Sequence, residues 1–512
     1  MTAKTISQLK TAMPFNTPGG TTIQDMHDFV DTVEVRSRIS VKQYGAVGTE
    51  IDSSDGPGRI ARAAIDTQAF LDATAAADGT STLYIPAGHY YINSNTWVIP
   101  TKLKIEGDGT NSRVVRRNSG WLLDISGFGD FVQGTQTRNN AVTLRDVQFH
   151  GNSNSGALLR IYYSSEVLID KCKFAFTNGP AIDAVEWWDS RIQNCFFDWC
   201  GNENTENPAV YLRNAVSVTD TGVFGYSADS TNAIVITGCR FESFKSHAIK
   251  FNSTEAMGTD TLAQIFVTNC KFETHYLAGS PIKFSANNVQ ANIHLDNIFM
   301  SVNVFNAGYT TATDLIDWNV NNGCSIRNLW VFIADPSGGV NPLVRAIVRA
   351  NCSFNSNTLE NIFVSGTPPS LAVVEAQGNT DPQLIGFIGG VSNGVGAQAL
   401  VEHAGGFRVI TAATTALQSH NGFTYTNATA GNLDVTIPAN VWPGWTCRAL
   451  QLSAAGTITF IGASGVTFQT ENGTNHRRTA GNGMMMNLIV TSNTDTATAA
   501  VCHVSGKTVA AV

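Results

Sequence analysis

The chain has 512 residues, 43% hydrophobic and only 14% charged, with 32 Lys and Arg against 40 Asp and Glu for a net charge of −8. That length can bury a large core and suits two to four domains. The acidic balance excludes a global attraction to nucleic acid, and no apolar run is long enough for membrane insertion.

Residues 1–40 differ from the rest. Thr21–Val30 has helical spacing behind an N-cap at Thr21 or Thr22, which predicts a small attachment or oligomerisation module. Residues 41–140 read as a cap and first rungs, with an amphipathic helix over Ala63–Ala77 plugging the end of the core. From 141 to 404 one phrase recurs eight times. It ends at Phe149, Phe174, Phe197, Phe241, Phe272, Met300, Val331 and Val364, at intervals of 25, 23, 44, 31, 28, 31 and 33 residues. The template is apolar, any, Asn-like, apolar, any, apolar. Its fourth and sixth positions share one face of a strand. The third holds Asn194, Gly238, Asn269, Asn297, Asn328 and Asn361, residue types that tolerate the left-handed backbone of a tight corner. A drifting period of this length predicts an all-β solenoid, a parallel β-helix, with each turn about 4.8 Å above the last. The 44-residue interval is read as two turns. A β-sandwich with chance similarity is the alternative. Residues 405–512 alternate like short antiparallel strands, as in Thr457–Ile461 and Met486–Val490, and predict a small β-sandwich or jelly roll.

The nine cysteines are an odd number. Cys172, Cys195, Cys239 and Cys270 share the inward fourth template position and read as core residues rather than as a zinc site. With cysteines read as core residues and no signal peptide at the opening, the chain is expected to be made in a reducing cytoplasm.

Val41-Lys-Gln-Tyr-Gly-Ala-Val-Gly48 resembles the opening of the pectate-lyase-like right-handed parallel β-helix superfamily. Asp66–Ala73 is similar to its next helix, Leu83–Ile92 to its Pro-x-Gly-x-Tyr strand, and Lys104–Gly109 to the glycine corner that follows. The resemblance covers 41–110, and the repeated phrase extends it to about 365. The usual acidic stretch after the opening is replaced by Glu50–Gly58. Within the superfamily, a short N-terminal module plus a small C-terminal β domain resembles bacteriophage tailspikes and capsule depolymerases. That implies a homotrimer on the phage tail, made in the host cytoplasm and attached through its N-terminus. Its expected partner is a bacterial surface polysaccharide such as capsule, exopolysaccharide or O-antigen.

Chemistry has to be read from outward columns, one side chain per rung. One column follows the phrase: His150, Ala175, Asp198, Glu242, Glu273 and Ser301, with Trp199 and His275 nearby. Aligning other strand centres gives a second: Arg160, Asp183, Tyr211, Lys250, Lys283, Asp317, Arg345 and Glu375. Asp183 leads into Glu186, Trp187 and Trp188, a composition suited to stacking sugar rings beside carboxylates. The candidate catalytic residues are therefore Asp183, Glu186, Asp198, Glu242 and Glu273. The candidate substrate-binding residues are Arg160, Trp187, Trp188, Trp199, Tyr211, His247, Lys250, Lys283 and Asp317. Residues 198–209, with Glu203 and Glu206, and 252–263, with Glu255 and Asp260, are long enough to wall a cleft. A hydrolase would use two carboxyls about 5 Å or about 6.5–9.5 Å apart. A lyase would use Lys, His or Tyr as base and a cation for the enolate. A non-catalytic adhesin would use neither. Hydrolysis is favoured. No cluster of adjacent aspartates calls for calcium, and no metal or cofactor is expected.

Overall fold

The computed structural model describes residues 38–512 except 51–55, 78, 80, 128–137, 203, 214–230, 253–261, 275–278, 286–289, 304–312, 321–322, 335–343, 345, 353–356, 367–371, 378–382, 392–406, 411, 417–422, 428–430, 440, 442, 452–455, 472–475, 482–483, 494–499 and 511–512. The expected helix over 21–30 lies outside these residues, as do Glu203, Glu255, Asp260, His275 and Arg345. The chain divides into two compact units at Asp317/Trp318.

The first unit opens on the cap. Ser40 caps a 3-10 turn, Val41–Tyr44, by accepting from Lys42 N while its own N–H donates to Gln43, and Gly45 ends the turn in the left-handed region. Helix α1 (Gly56–Ala77) starts seven residues before the expected Ala63. It lays Phe70 against Tyr90 and Trp97, with ring centroids 5.4 and 4.9 Å away. Polar residues on the same face bind the first strands. Asp66 accepts from the amides of Val47 and Tyr91, and Thr74 accepts from the indole of Trp97. Burial pushes the Asp66 carboxyl up. The glycines of the opening have a steric role. A Cβ on Gly88 would meet the carbonyl oxygen of Gly48 at 2.5 Å.

Beyond the cap the chain coils through three sheet faces. First-face strands such as Leu168–Asp170 pair in parallel with 143–145 below and 191–193 above. On the second face Phe174 lies between Phe149 and Phe197. On the third, Ile182 lies between Leu159 and Val210. A left-handed residue separates the first and second faces: Asp146, Lys171, Asn194, Gly238, Asn269 and Asn297 have φ of 54, 53, 55, 63, 55 and 53°. The corner read from the sequence is therefore real, and Asp and Lys also occupy it. Asn297 donates to the Asn269 side chain at 2.6 Å and Asn194 to Asp170 at 3.2 Å, so the corner is also a rung-to-rung hydrogen-bond ladder.

Inside, the sixth template position forms a continuous aromatic stack. Phe149, Phe174, Phe197, Phe241 and Phe272 follow one another at 5.5, 5.0, 4.6 and 4.9 Å. Cys172, Cys195, Cys239 and Cys270 form a free, buried row beside it. Phe197 and Phe241 are direct register partners, so the 44-residue interval is one turn and not two.

In the second unit Ser325–Ala334, Thr358–Gly366 and Gln383–Val391 form one parallel ladder. Arg349, and not Arg345, stands opposite Glu375. Residues 407–512 form two facing sheets around a core containing Tyr425, Trp445, Phe460 and Met486. The expected antiparallel order holds only for the later strands. Phe407–Ile410, Phe423–Asn427 and Thr446–Gln451 pair in parallel, as do Thr414–Thr415, Leu433–Ile437 and Ile458–Gly462. Antiparallel pairing begins where Thr446–Gln451 meets Met485–Asn493. Alternation reports which face is buried, not strand direction, and so could not distinguish the two.

Candidate functional site

Both outward columns occur in the first unit, on different faces, the first from His150 to Ser301 and the second from Arg160 to Asp317. On the second face His150, Ala175, Asp198, Glu242, Glu273 and Ser301 are successive partners. Asp198 and Glu242 are thus one rung apart, about 4.8 Å at the backbone, instead of the two rungs expected. Each acid is neutralised within the sheet. Asp198 meets Lys173 at 3.2 Å, Glu242 pairs with Arg240, and Glu273 meets Lys271 at 2.6 Å. Lys271, by donating to Glu273, holds that carboxyl below the usual range, the opposite of what a proton donor needs. His150 is buried and its imidazole is pushed down to about 3. Trp199 lies parallel to Phe176 at 6.4 Å, and Phe176 in turn contacts His150 at 5.2 Å. Phe176 was not singled out from the sequence, although it precedes Thr177 as Trp199 precedes Cys200.

The third face is built differently. Arg160, Asp183, Tyr211, Lys250, Lys283 and Asp317 are successive partners. Ile182, Val210, Ile249 and Ile282 point inward between them, so alternation turns the polar residues out. A second outward row lies two residues on, where Arg213, Asn252 and Ser285 are aligned with Val185 and Tyr162. Sequence reading took only one residue per strand and missed this row, although period-2 spacing would have given it.

The two rows combine into a polar and aromatic cluster. Arg213 donates two hydrogen bonds to Asp183, both 2.9 Å, and a third to Tyr162 at 2.9 Å. The Tyr162 hydroxyl also donates to Asp183 at 2.6 Å. Desolvation and the Asp183 charge push that phenol up. Below, Arg160 pairs with Asp124 and lies 4.8 Å from the Trp121 ring. Above, Asn252 donates to the Tyr211 hydroxyl, and the Lys250 ammonium stands 5.6 Å from the Tyr211 ring. Lys250 and Lys283 both reach Glu206 Oε2, at 3.3 and 3.0 Å. Glu206 sits in a short loop closed by Asn202 and Asn207, which exchange two backbone hydrogen bonds.

Glu186, Trp187 and Trp188, expected beside Asp183, do not line this face. Trp187 is fully buried, Glu186 is buried beside it, and Trp188 is covered by Arg138, whose guanidinium lies 4.4 Å from its ring. Left-handed residues at Glu186 and Asp189 bend strand Ile182–Gln193, with Glu186 and Trp187 buried and Trp188 beneath Arg138. The adjacent tryptophans therefore cannot serve as a sugar platform. His247 is also buried, and lies beneath Glu206. Among the described residues no cluster of metal-ligating side chains occurs, and no helix is long and apolar enough to cross a membrane.

Residues 132–298 match the family described as the right-handed beta helix region. Among solved structures, Geobacillus virus E2 ORF18 superposes with a TM-score of 0.51 at 16% identity, covering 73% of this chain and 64% of that one. The Streptococcus pneumoniae surface protein and adhesin PfbA gives 0.47 at 12% identity, covering 83% and 100%. A tailspike protein mutant of E. coli bacteriophage HK620, in complex with a pentasaccharide, gives 0.47 at 10% identity, covering 94% and 87%. Curated proteins give no match. The shared fold is the right-handed parallel β-helix.

Proposed function

We propose that this chain is a phage tailspike-type receptor-binding protein whose third face binds a bacterial surface polysaccharide and depolymerises it. The observation that carries this reading is the continuous outward ladder Arg160, Asp183, Tyr211, Lys250, Lys283, with Tyr162, Arg213 and Asn252 beside it. It presents hydrogen-bond donors, acceptors and aromatic rings at the rung spacing. An extended glycan needs these groups along its length, because sugar hydroxyls are read by fixed polar groups and sugar faces by rings. The protein acts as a homotrimer on the virion tail, attached through residues 1–40. Exposed aromatics such as Phe266, and Trp330 and Phe332 in the second unit, are apolar surface that a subunit contact would cover.

Endo-glycosidic hydrolysis is the chemistry favoured by the sequence, with Asp183, held by Arg213 and Tyr162 on the third face, as its carboxylate there. Elimination is favoured by one observation, the presence of two lysines and a histidine around one carboxylate position. The test is adsorption of purified protein to a panel of encapsulated and smooth strains, with product analysis. New reducing ends without ultraviolet-absorbing unsaturated ends support hydrolysis, and unsaturated ends support elimination. Adsorption without either product makes the chain an adhesin. Adsorption unchanged in folded Arg213→Ala and Tyr211→Ala variants sinks the third-face assignment.

A further inference from the structure

Lys250 and Lys283 stand on adjacent rungs, about 4.8 Å apart at the backbone. Like charges at cross-strand spacing repel, and a shared anion removes the cost. Neither strand supplies one, since Ile249–Asn252 and Ile282–Ser285 contain no acid, and the one ladder acid beside them, Asp317, is the partner of Lys283 and stands two rungs from Lys250. The anion comes from a loop. Glu206 Oε2 contacts Lys283 at 3.0 Å and Lys250 at 3.3 Å, and His247 Nε2 stands 3.9 Å away. All three converge on a single oxygen.

The histidine is built for a visitor. Its Nδ1 lies 2.6 Å from the Ser280 carbonyl, which can only accept, so Nδ1 carries the hydrogen. Nε2 points at Glu206 without a hydrogen-bond partner, although the ring is buried. Gly279 leaves room for the ring, because a Cβ there would come within 2.5 Å of it. With the hydrogen on Nδ1, Nε2 is the acceptor of the ring, and burial, which lowers the imidazole pKa, favours that neutral form. The carboxylate of Glu206 cannot donate to it, whereas a sugar hydroxyl can. The Glu206 side chain is 56% exposed while Lys250 and Lys283 are 13% and 24% exposed, so a half-free loop residue covers two largely enclosed cations.

We propose that Lys250, Lys283 and His247 form a subsite for the carboxylate and adjacent hydroxyl of an acidic sugar, and that Glu206 occupies it as a stand-in carboxylate when no glycan is bound. This rests on the third face being the glycan-binding face. The ligand's carboxylate displaces Glu206 from the lysines, its hydroxyl donates to His247 Nε2, and its ring faces Tyr211. Occupation by Glu206 lowers the apparent affinity by the fraction of time the subsite is filled.

The test uses the full chain with sodium glucuronate, sodium galacturonate and neutral methyl glucoside as probes, followed by ligand-observed NMR titration. The proteins are wild type, Glu206→Gln, and Glu206→Gln combined with Lys283→Gln. Glu206→Gln is expected to bind at least one uronate about tenfold more tightly than wild type, with the neutral glycoside unchanged and the gain lost in the double variant. No gain in Glu206→Gln overturns the proposal. So does a gain shared by the neutral glycoside or retained in the double variant. Adsorption to bacterial strains is measured on the same proteins. If adsorption persists while the uronate gain is absent, the subsite alone fails. If adsorption is absent too, the glycan-binding reading fails with it.

Discussion

Phe241 is the position at which the interior can be tested most sharply. It is fully buried and lies between Phe197 at 4.6 Å and Phe272 at 4.9 Å, nearly parallel to both. Removing a buried phenylalanine side chain costs about 3–5 kcal/mol through lost transfer energy and the cavity left behind. Each stacked aromatic pair adds about 0.5–1.5 kcal/mol. With two pairs broken, Phe241→Ala is expected near the top of that range, at about 5 kcal/mol. Phe149→Ala is the internal control. It is equally buried but meets one ring of this stack, Phe174, with Val114 as its other register partner. It should therefore cost about 1 kcal/mol less. Solenoids lose cooperativity along their length, so urea unfolding is to be paired with amide hydrogen exchange in 196–200 and 240–242. A Phe241→Ala cost below about 2 kcal/mol, or one equal to that of Phe149→Ala, would refute the idea that stacked rings carry the rung-to-rung stability.

Three further outcomes are expected. His150 is neutral when folded down to about pH 3 but takes up a proton near 6.5 when unfolded, so its contribution is complete above 6.5 and is lost as pH falls from 6.5 to 3. His150→Gln should flatten the acid arm of the stability curve by at most about 5 kcal/mol, and an unchanged arm would show that the ring is not desolvated. Arg213→Ala releases Asp183 and Tyr162 together and should weaken adsorption about tenfold or more, whereas Glu242→Gln on the second face should leave it unchanged; equilibrium binding to whole cells distinguishes the two. Burial pushes the Cys200 thiol up to about 12, so the native protein should resist alkylation at this position until denaturant is added, as mass spectrometry would read.

The rungs were legible because their physics repeats. A left-handed corner and an inward aromatic must recur on every turn, and a recurring constraint leaves a recurring phrase. The third-face register from Arg160 to Asp317 followed from strand centres alone. What failed did so where the constraint does not repeat. The interval between Phe197 and Phe241 looked double because connections can lengthen without touching the ladder. Trp187 and Trp188 looked like an outward platform because the sequence does not show that Glu186 and Asp189 turn the strand. The salt-bridge partners of Glu242 and Glu273 were two residues away on the same strand, where alternation would have predicted them. Asp124, which pairs with Arg160, carries no phrase at all and was invisible.

The two columns differ in how their charges are settled, and that difference assigns their roles. On the second face the strands containing Glu242 and Glu273 each carry their own cation, Arg240 or Lys271, two residues earlier. Such a pair is complete wherever the strand forms and needs nothing from outside the sheet. On the third face the strands holding Lys250 and Lys283 carry no acid, so the sheet by itself leaves two like charges on adjacent rungs. Stability alone would favour an alternating ladder there, since like charges directly across a sheet are destabilising. Asp317 is a ladder neighbour of Lys283 alone, and the carboxylate that both lysines contact is Glu206, a residue of the connection and not of the ladder. A positive site closed by a removable loop carboxylate is stable when empty and still able to exchange that carboxylate for one on a ligand. On the proposed reading glycan recognition falls to the third face, while the second-face acids are paired within their own strands.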